Sequence, residues 1–425
     1  MKNHKNHPRI AVSIVLNAAL VSALISAPAF ADGARPSRRE PSPSRIAATS
    51  GVESRNVAPA PPPLEIASDQ GVTPAGLPSW IVMLSMRPDP NDPQRVREAE
   101  QAVEAVLAAT IGADRAHQRY AHGLVGFAAG MTPGEAAAVA ADPRVAVVEP
   151  DRLQQLSRSG GAPDLDNPNL PVPWNLRRIS AREGLAPDFE SCGATGAGVT
   201  VVLIDSGIAR DHSEFAGRIV ADRSFAMTGP PNGEDIAGHG THVAGTIAGS
   251  TVGVAPQAKI VALRVNEMSG VIFTSSWMAA INWTLIPGNV TRPAVINMSL
   301  GGSVAGLDWV VEFIIGLANA AGIPVVVSAG NDSHPASWNV PAMALGAITV
   351  GATDLDDRPA LFSNHGSLVD IWAPGVGIVS ADWQRPDGGL IMESGTSMAA
   401  PCVAGTVALF LETEVTPEDL AERAP

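Results

Sequence analysis

Val201-Val202-Leu203-Ile204-Asp205-Ser206-Gly207 is an apolar run that stops on a carboxylate and a turn. Its length, its β-branched content and the turn residues bounding it mark a buried strand. A strand apolar on both sides belongs to a sheet covered on both faces, which is the habit of parallel sheets. Working outward, Ile260–Val265, Val295–Met298, Val325–Ser328 and Ile348–Val350 are runs of the same kind. Thr241–Gly249, Thr274–Leu285, Leu307–Ala321 and Ser397–Leu411 read as helices. The expected fold class is α/β, a mostly parallel sheet with helices on both faces. Ligand sites in such sheets gather beyond the carboxyl ends of the strands. Asp205, Ser299 and Asn331 each fall at such an end.

The residue types at those ends carry chemistry. Asp205 supplies an acid. Gly238-His239-Gly240-Thr241-His242 supplies an imidazole, and Ser328-Ala329-Gly330-Asn331 an amide. Gly395-Thr396-Ser397-Met398-Ala399-Ala400-Pro401 sets a small nucleophile at the mouth of an apolar helix. A serine hydroxyl is a weak nucleophile at neutral pH and needs a base and an oxyanion site. Taken singly, Asp205, His239 and Asn331 fit ordinary turns, and Ser397 fits an N-cap. Taken together they fill every role of a serine hydrolase. His242, one turn into the same helix, reads as structural, because a His-x-x-His pair lacks further ligands for zinc.

Upstream lies a separate organisation. Lys2, Lys5 and Arg9 precede an apolar run and an Ala29-Phe30-Ala31 cleavage pattern, so residues 1–31 read as a signal peptide. Residues 32–78 are rich in Pro, Ser and Ala and read as a disordered linker. Residues 79–152 follow a strand-helix-strand-helix-strand order, a small α+β unit with no catalytic constellation. Its His117 and His122 are expected to face solvent. Residues 153–168 form a polar, glycine-containing stretch open to cleavage, and 169–425 is the larger domain. The 425-residue chain is 45% hydrophobic but only 4% aromatic, so aliphatic packing must fill its core. A net charge of −14 without a basic stripe excludes nucleic acid as a partner. Cys192 and Cys402 are expected to be buried and unpaired.

These motifs resemble those of the subtilisin-like serine proteases, with loop lengths nearest the proteinase K branch. The resemblance covers Pro173 to Leu411, and Trp80 to Asp151 resembles the ferredoxin-like inhibitory propeptide of those enzymes. The order acid, base, nucleophile separates this pattern from other triad enzymes. The resemblance implies a secreted, monomeric endopeptidase made as a self-processing zymogen, with protein or peptide substrates and its own propeptide as inhibitor. It assigns Asp205, His239 and Ser397 to catalysis and Asn331 to the oxyanion hole. Ser299, Leu300 and Gly301 would pair with substrate along one side of the groove and Gly270 along the other, while Ala329 and Gly330 would line the main pocket. No catalytic cofactor is implied. Asp370 would help hold a structural calcium ion, with main-chain carbonyls near Leu345 and Ala347.

Cys402 stands where the family has histidine. The helix opening at Thr416 stops at Pro425, short of the family's usual extent, which makes either a shortened or an incomplete chain the expectation. A catalytically inert homologue acting as a binding protein, and an esterase using the same triad, are the alternative readings.

Overall fold

The computed structural model describes residues 69–86, 89–156, 172–303 and 308–414. The signal peptide, most of the proline-rich linker and the helix opening at Thr416 lie outside the described residues.

The N-terminal unit is built from β1 (Ser79–Leu84), α1 (Pro93–Thr110), β2 (Ala116–Tyr120), β3 (Gly126–Gly130), α2 (Pro133–Ala140) and β4 (Val145–Pro150). The four strands form an antiparallel sheet in the order β2-β3-β1-β4. Asp92 caps α1 by accepting Gln94 N–H at 2.8 Å. Thr132 and Glu135 close a capping box at α2, which satisfies orphan N–H groups at the helix start. Strand β2 is the element that periodicity does not reveal. Ala-His-Gln-Arg-Tyr is polar at its three central positions, and only Tyr120 is buried.

Strand alternation gives β1 two partners. Trp80, Val82 and Leu84 pack with Val103, Leu107 and Phe127 inside the unit. Ile81 and Met83 face the other way and join Tyr120, Trp277, Met278 and Ile281 in the core of the larger domain. One five-residue alternation thus holds both the unit's own core and its docking face. The linker is ordered earlier than its composition implies. Gln70 bridges Arg152, Val72 bridges Pro78, and Asp69 pairs with Arg152.

After β5 (Leu153–Leu156) comes the larger domain, opened by α3 (Trp174–Ile179). Its main strands are β6 (Thr200–Asp205), β7 (Ile219–Ser224), β8 (Lys259–Arg264), with the short β9 (Ile272–Phe273) following, then β10 (Ala294–Met298) and β11 (Leu300–Ser303). Next are β12 (Val325–Ser328), β13 (Asn339–Val340), β14 (Ile348–Thr353), β15 (Ile371–Pro374), and the hairpin strands β16 (Ile378–Ala381) and β17 (Leu390–Glu393). Seven of these make one sheet in the order β15-β14-β12-β10-β6-β8-β7, every pair parallel. The helices are α4 (His239–Ala248), α5 (Thr274–Thr284), α6 (Asp308–Ala320) and α7 (Thr396–Glu414). Residues of α4 and α7 fill one face of the sheet and residues of α5 and α6 the other. Both faces are therefore covered. Helix α7 has the length and composition of a membrane span, but 78% of that window is buried in the protein, so it is a core helix.

Candidate active site

Asp205 ends β6, and its Oδ1 meets His239 Nδ1 at 2.7 Å, both side chains being fully buried. Two glycines make that approach feasible. Gly238 caps α4 with φ +82°, the left-handed region that side chains resist. Gly240 brings the helix start onto the loop after β6, where a Cβ would lie 2.1 Å from the Gly207 carbonyl oxygen. Asp235 stitches the two elements together. It accepts Ser206 Oγ–H at 2.8 Å, Gly238 N–H at 2.8 Å and Thr241 N–H at 2.9 Å. Ser206 Oγ in turn accepts Gly240 N–H at 2.8 Å. His239 Nε2 is buried without a hydrogen-bond partner among the described residues. With Nδ1 committed to Asp205, that nitrogen is the ring's acceptor face.

Ser397 opens α7 in the turn after Gly395. Pro401 lies inside this helix and cannot donate to the Ser397 carbonyl four residues back. Ser299 Oγ–H donates to that carbonyl instead at 3.0 Å, and Ser397 Oγ–H donates to the Ser299 carbonyl at 3.0 Å. The nucleophile candidate is thus tied to the end of β10, and its hydroxyl points at Ser299 rather than at the imidazole. Asn331 stands beside it. Its Oδ1 accepts both Thr396 N–H and Thr396 Oγ–H, each at 2.9 Å. That bonding orients the amide and leaves its NH₂ end directed away from Thr396.

A cleft of about 630 Å³ lies next to these groups, lined in part by Gly301, Gly330, Asn331, Asn339 and Asn364. Asn339 and Asn364 both donate to the Ala329 carbonyl, at 3.1 and 2.9 Å. Sequence reading missed both, because a buried asparagine among turn residues carries no local pattern. Ala329 itself is fully buried in the core and does not line the cleft. Its small side chain serves packing.

Strand β5 lies in the groove. It pairs antiparallel with β11, Leu156 opposite Leu300 and Gln155 opposite Gly301, and on its other edge with β9, Leu153 opposite Phe273 and Gln154 opposite Ile272. The stretch expected to be an open linker is therefore a strand at its start. Gly270 takes no part in this pairing. It sits in a turn with φ +86°, its N–H on the Glu267 carbonyl, and β9 supplies the second edge two residues later.

Of the other expectations, the solvent-facing His117 and the buried Cys192 are corrected, while the structural His242 and the buried, unpaired Cys402 hold. His117 is half-buried and holds the Ser79 hydroxyl through Nε2 at 2.8 Å; burial lowers its pKa to about 4. Cys192 is exposed and Cys402 buried, both unpaired. Burial pushes the Cys402 thiol up to about 12. His242 is buried, with Nε2 on the Ile378 carbonyl at 3.0 Å, a structural position. Asp370 accepts Thr349 N–H at 2.8 Å through one oxygen. No group of three or more His, Cys, Asp or Glu side chains suited to a metal occurs among the described residues.

An acid, an imidazole, a helix-mouth serine and a peptide groove on a parallel α/β sheet define a serine hydrolase acting on extended chains. The chain belongs to the Subtilase family of serine endopeptidases, which it matches over residues 196–423, and residues 79–157 match the Peptidase inhibitor I9 family. It is 40% identical over 314 residues to an extracellular serine proteinase of Thermus sp. (strain Rt41A), covering 73% of each chain. It is 39% identical to alkaline serine exoprotease A of Vibrio alginolyticus over 68% of this chain and 52% of that one, so it spans about half of that relative's length. A solved cold-adapted subtilisin-like serine proteinase is 39% identical, with a TM-score of 0.53 covering 60% of this chain and 90% of the other.

Proposed function

We propose that this protein is an exported serine endopeptidase made as a self-processing zymogen. The observation that carries the reading is strand β5, the chain's own peptide laid antiparallel on β11 and running toward Ser397. Strand addition of this kind is how a groove takes an extended peptide, with main-chain bonds giving affinity. Leu156 opposes Leu300, so a peptide in this register sets its next residue opposite Ser299, the residue bonded to Ser397. Cleavage then follows that residue.

In the proposed reaction the Ser397 hydroxyl turns from the Ser299 carbonyl to His239 Nε2, loses its proton there and attacks the scissile carbonyl. Asp205 holds the imidazole in the tautomer with its proton on Nδ1 and stabilises the cation that forms. The Asn331 amide and the Ser397 N–H, in the first turn of α7, donate to the oxyanion. The leaving amine takes the proton from His239, and water releases the acyl group by the reverse path. The helix start at Ser397 favours the negative charge that develops there.

The domain limits expected from sequence are retained as proposals, with the inhibitory unit extended to Asp69 at one end and Leu156 at the other. Export agrees with the extracellular relative, and the reading assigns a monomer with no nucleic-acid or membrane partner after signal removal. Asp370 remains the proposed calcium ligand, but its donor set fits poorly. One carboxylate oxygen is taken by Thr349, whereas calcium needs six to eight oxygens. No chemical step is assigned to it, and a chelator is expected to leave turnover per folded enzyme unchanged.

Two measurements test the reading together. A sulfonyl fluoride should modify Ser397, and Ser397→Ala should accumulate as uncut precursor in a protease-free host. Maturation of that variant at the normal site would refute self-processing.

A further inference from the structure

We propose that the groove selects an amide side chain at the position Gln154 occupies, and that Thr274 is the residue that selects it. This rests on the peptidase reading above. In the register just described, that position is fourth before the cut.

Gln154 is only 2% exposed, whereas Leu153 and Leu156 on the same strand are half-buried and Gln155 is exposed. The tail therefore buries its amide more deeply than its leucines, the reverse of what transfer energies alone would give. Gln154 Nε2 donates to Thr274 Oγ1 at 3.0 Å. Thr274 Oγ1–H donates onward to the Arg152 carbonyl at 3.2 Å, and Thr274 N–H donates to the same oxygen at 3.0 Å. The hydroxyl's one proton is committed to the bound chain's backbone, so it faces the side chain as an acceptor. An amide N–H satisfies it, while the amide's own Oε1 is buried without a hydrogen-bond partner among the described residues, which offsets part of the gain. An aliphatic side chain leaves it unpaired in a buried site, and a carboxylate opposes acceptor to acceptor. Gly302 provides the space, since a Cβ there would fall 2.9 Å from Gln154 Cγ. Ile272 and Phe273, both buried, close the opposite edge. A lysine could donate to the same hydroxyl, but no counter-charge bonds the Gln154 side chain, and a buried unpaired ammonium is costly.

The test is a set of chromogenic anilides, Xaa-Gln-Leu-Ser with Xaa as Gln, Ala, Leu, Glu or Lys, hydrolysed by processed enzyme. We expect kcat/KM for Gln to exceed that for Ala and Leu by roughly threefold, the low end of one neutral hydrogen bond because the amide oxygen stays unpaired. Thr274→Val should bring the Gln-to-Leu ratio near one, and Thr274→Ser should keep it. Leu, Glu or Lys equal to or above Gln in the wild type overturns the proposal, as does a ratio unchanged in Thr274→Val. Turnover of the Ala and Leu peptides with no Gln advantage removes this inference alone. Absence of turnover for every peptide removes the peptidase reading and this inference with it.

Discussion

Asp151→Ala should loosen the hold of the N-terminal unit on the groove by roughly 100-fold. The Asp151 carboxylate is fully buried where the chain passes from β4 to β5 and meets the start of α5. It accepts Ser275 N–H at 2.9 Å, Ser275 Oγ–H at 2.6 Å and Ser79 Oγ–H at 2.8 Å. Alanine strands the Ser275 N–H, which costs about 1–3 kcal/mol for a buried donor. It also removes the acceptor shared by the Ser275 and Ser79 hydroxyls, a further loss of about 1 kcal/mol. A combined loss of about 3 kcal/mol corresponds to the stated factor. Asp151→Asn keeps an acceptor for Ser275 and should stay within about tenfold of the wild type. The two variants also differ in pH response. Burial raises the Asp151 pKa to about 6, against about 3.9 in water. A raised acid favours the docked state below pH 4, and that contribution is lost as pH climbs to 6 and stays lost above it. Asn should abolish this slope. The assay is the lag in peptide-hydrolysis progress curves after processing begins, which reports release of the bound unit. A lag within twofold of the wild type in Asp151→Ala would refute the reasoning.

His117 works in the opposite sense and shares the Ser79 hydroxyl with Asp151. Its pKa is lowered to about 4, so its contribution to docking is full above pH 6.5 and falls as pH drops toward 4. With His117→Gln, acidification from pH 6.5 to 4.5 should lengthen the lag, and a shorter lag would count against this linkage. Asn331→Ala should lower kcat by 10²–10³ with KM within a few-fold, a magnitude taken from a subtilisin rather than worked from this structure; an equal rise in KM would indicate lost substrate binding instead. Gly238→Ala should cost about 1–2 kcal/mol in left-handed backbone alone, and its Cβ would meet Trp383 at 2.2 Å. Calorimetry of the processed enzyme should show a midpoint several degrees lower, and an unchanged midpoint would mean the loop relaxes freely.

Much of the α/β domain was legible because its central strands are apolar on both sides. Val201–Ile204 and Val325–Ser328 announce themselves as buried runs wherever they lie in space. Ile219–Ser224 and Ile371–Pro374 did not, since edge strands of a sheet are half-exposed and carry mixed residues. Strand β2 escaped for the same reason, being a polar strand whose pairing partner, not its composition, orders it. The groove was readable on the β11 side through Ser299-Leu300-Gly301. On the other side Gly270 drew attention as a turn glycine, while the pairing itself falls to Ile272 and Phe273.

Local chemistry was enough to establish the α/β architecture, the separate N-terminal unit and the candidate acid, base and nucleophile. Apolar periodicity and turn residues are written in consecutive positions. Folding alone decided that Asp205 and His239 share a hydrogen bond, that Pro401 frees the Ser397 carbonyl for Ser299, and that Gln154 ends up buried against Thr274. Each of these joins groups 34 to 120 positions apart. Such contacts depend on how strands register and helices pack, which no short window of residues encodes.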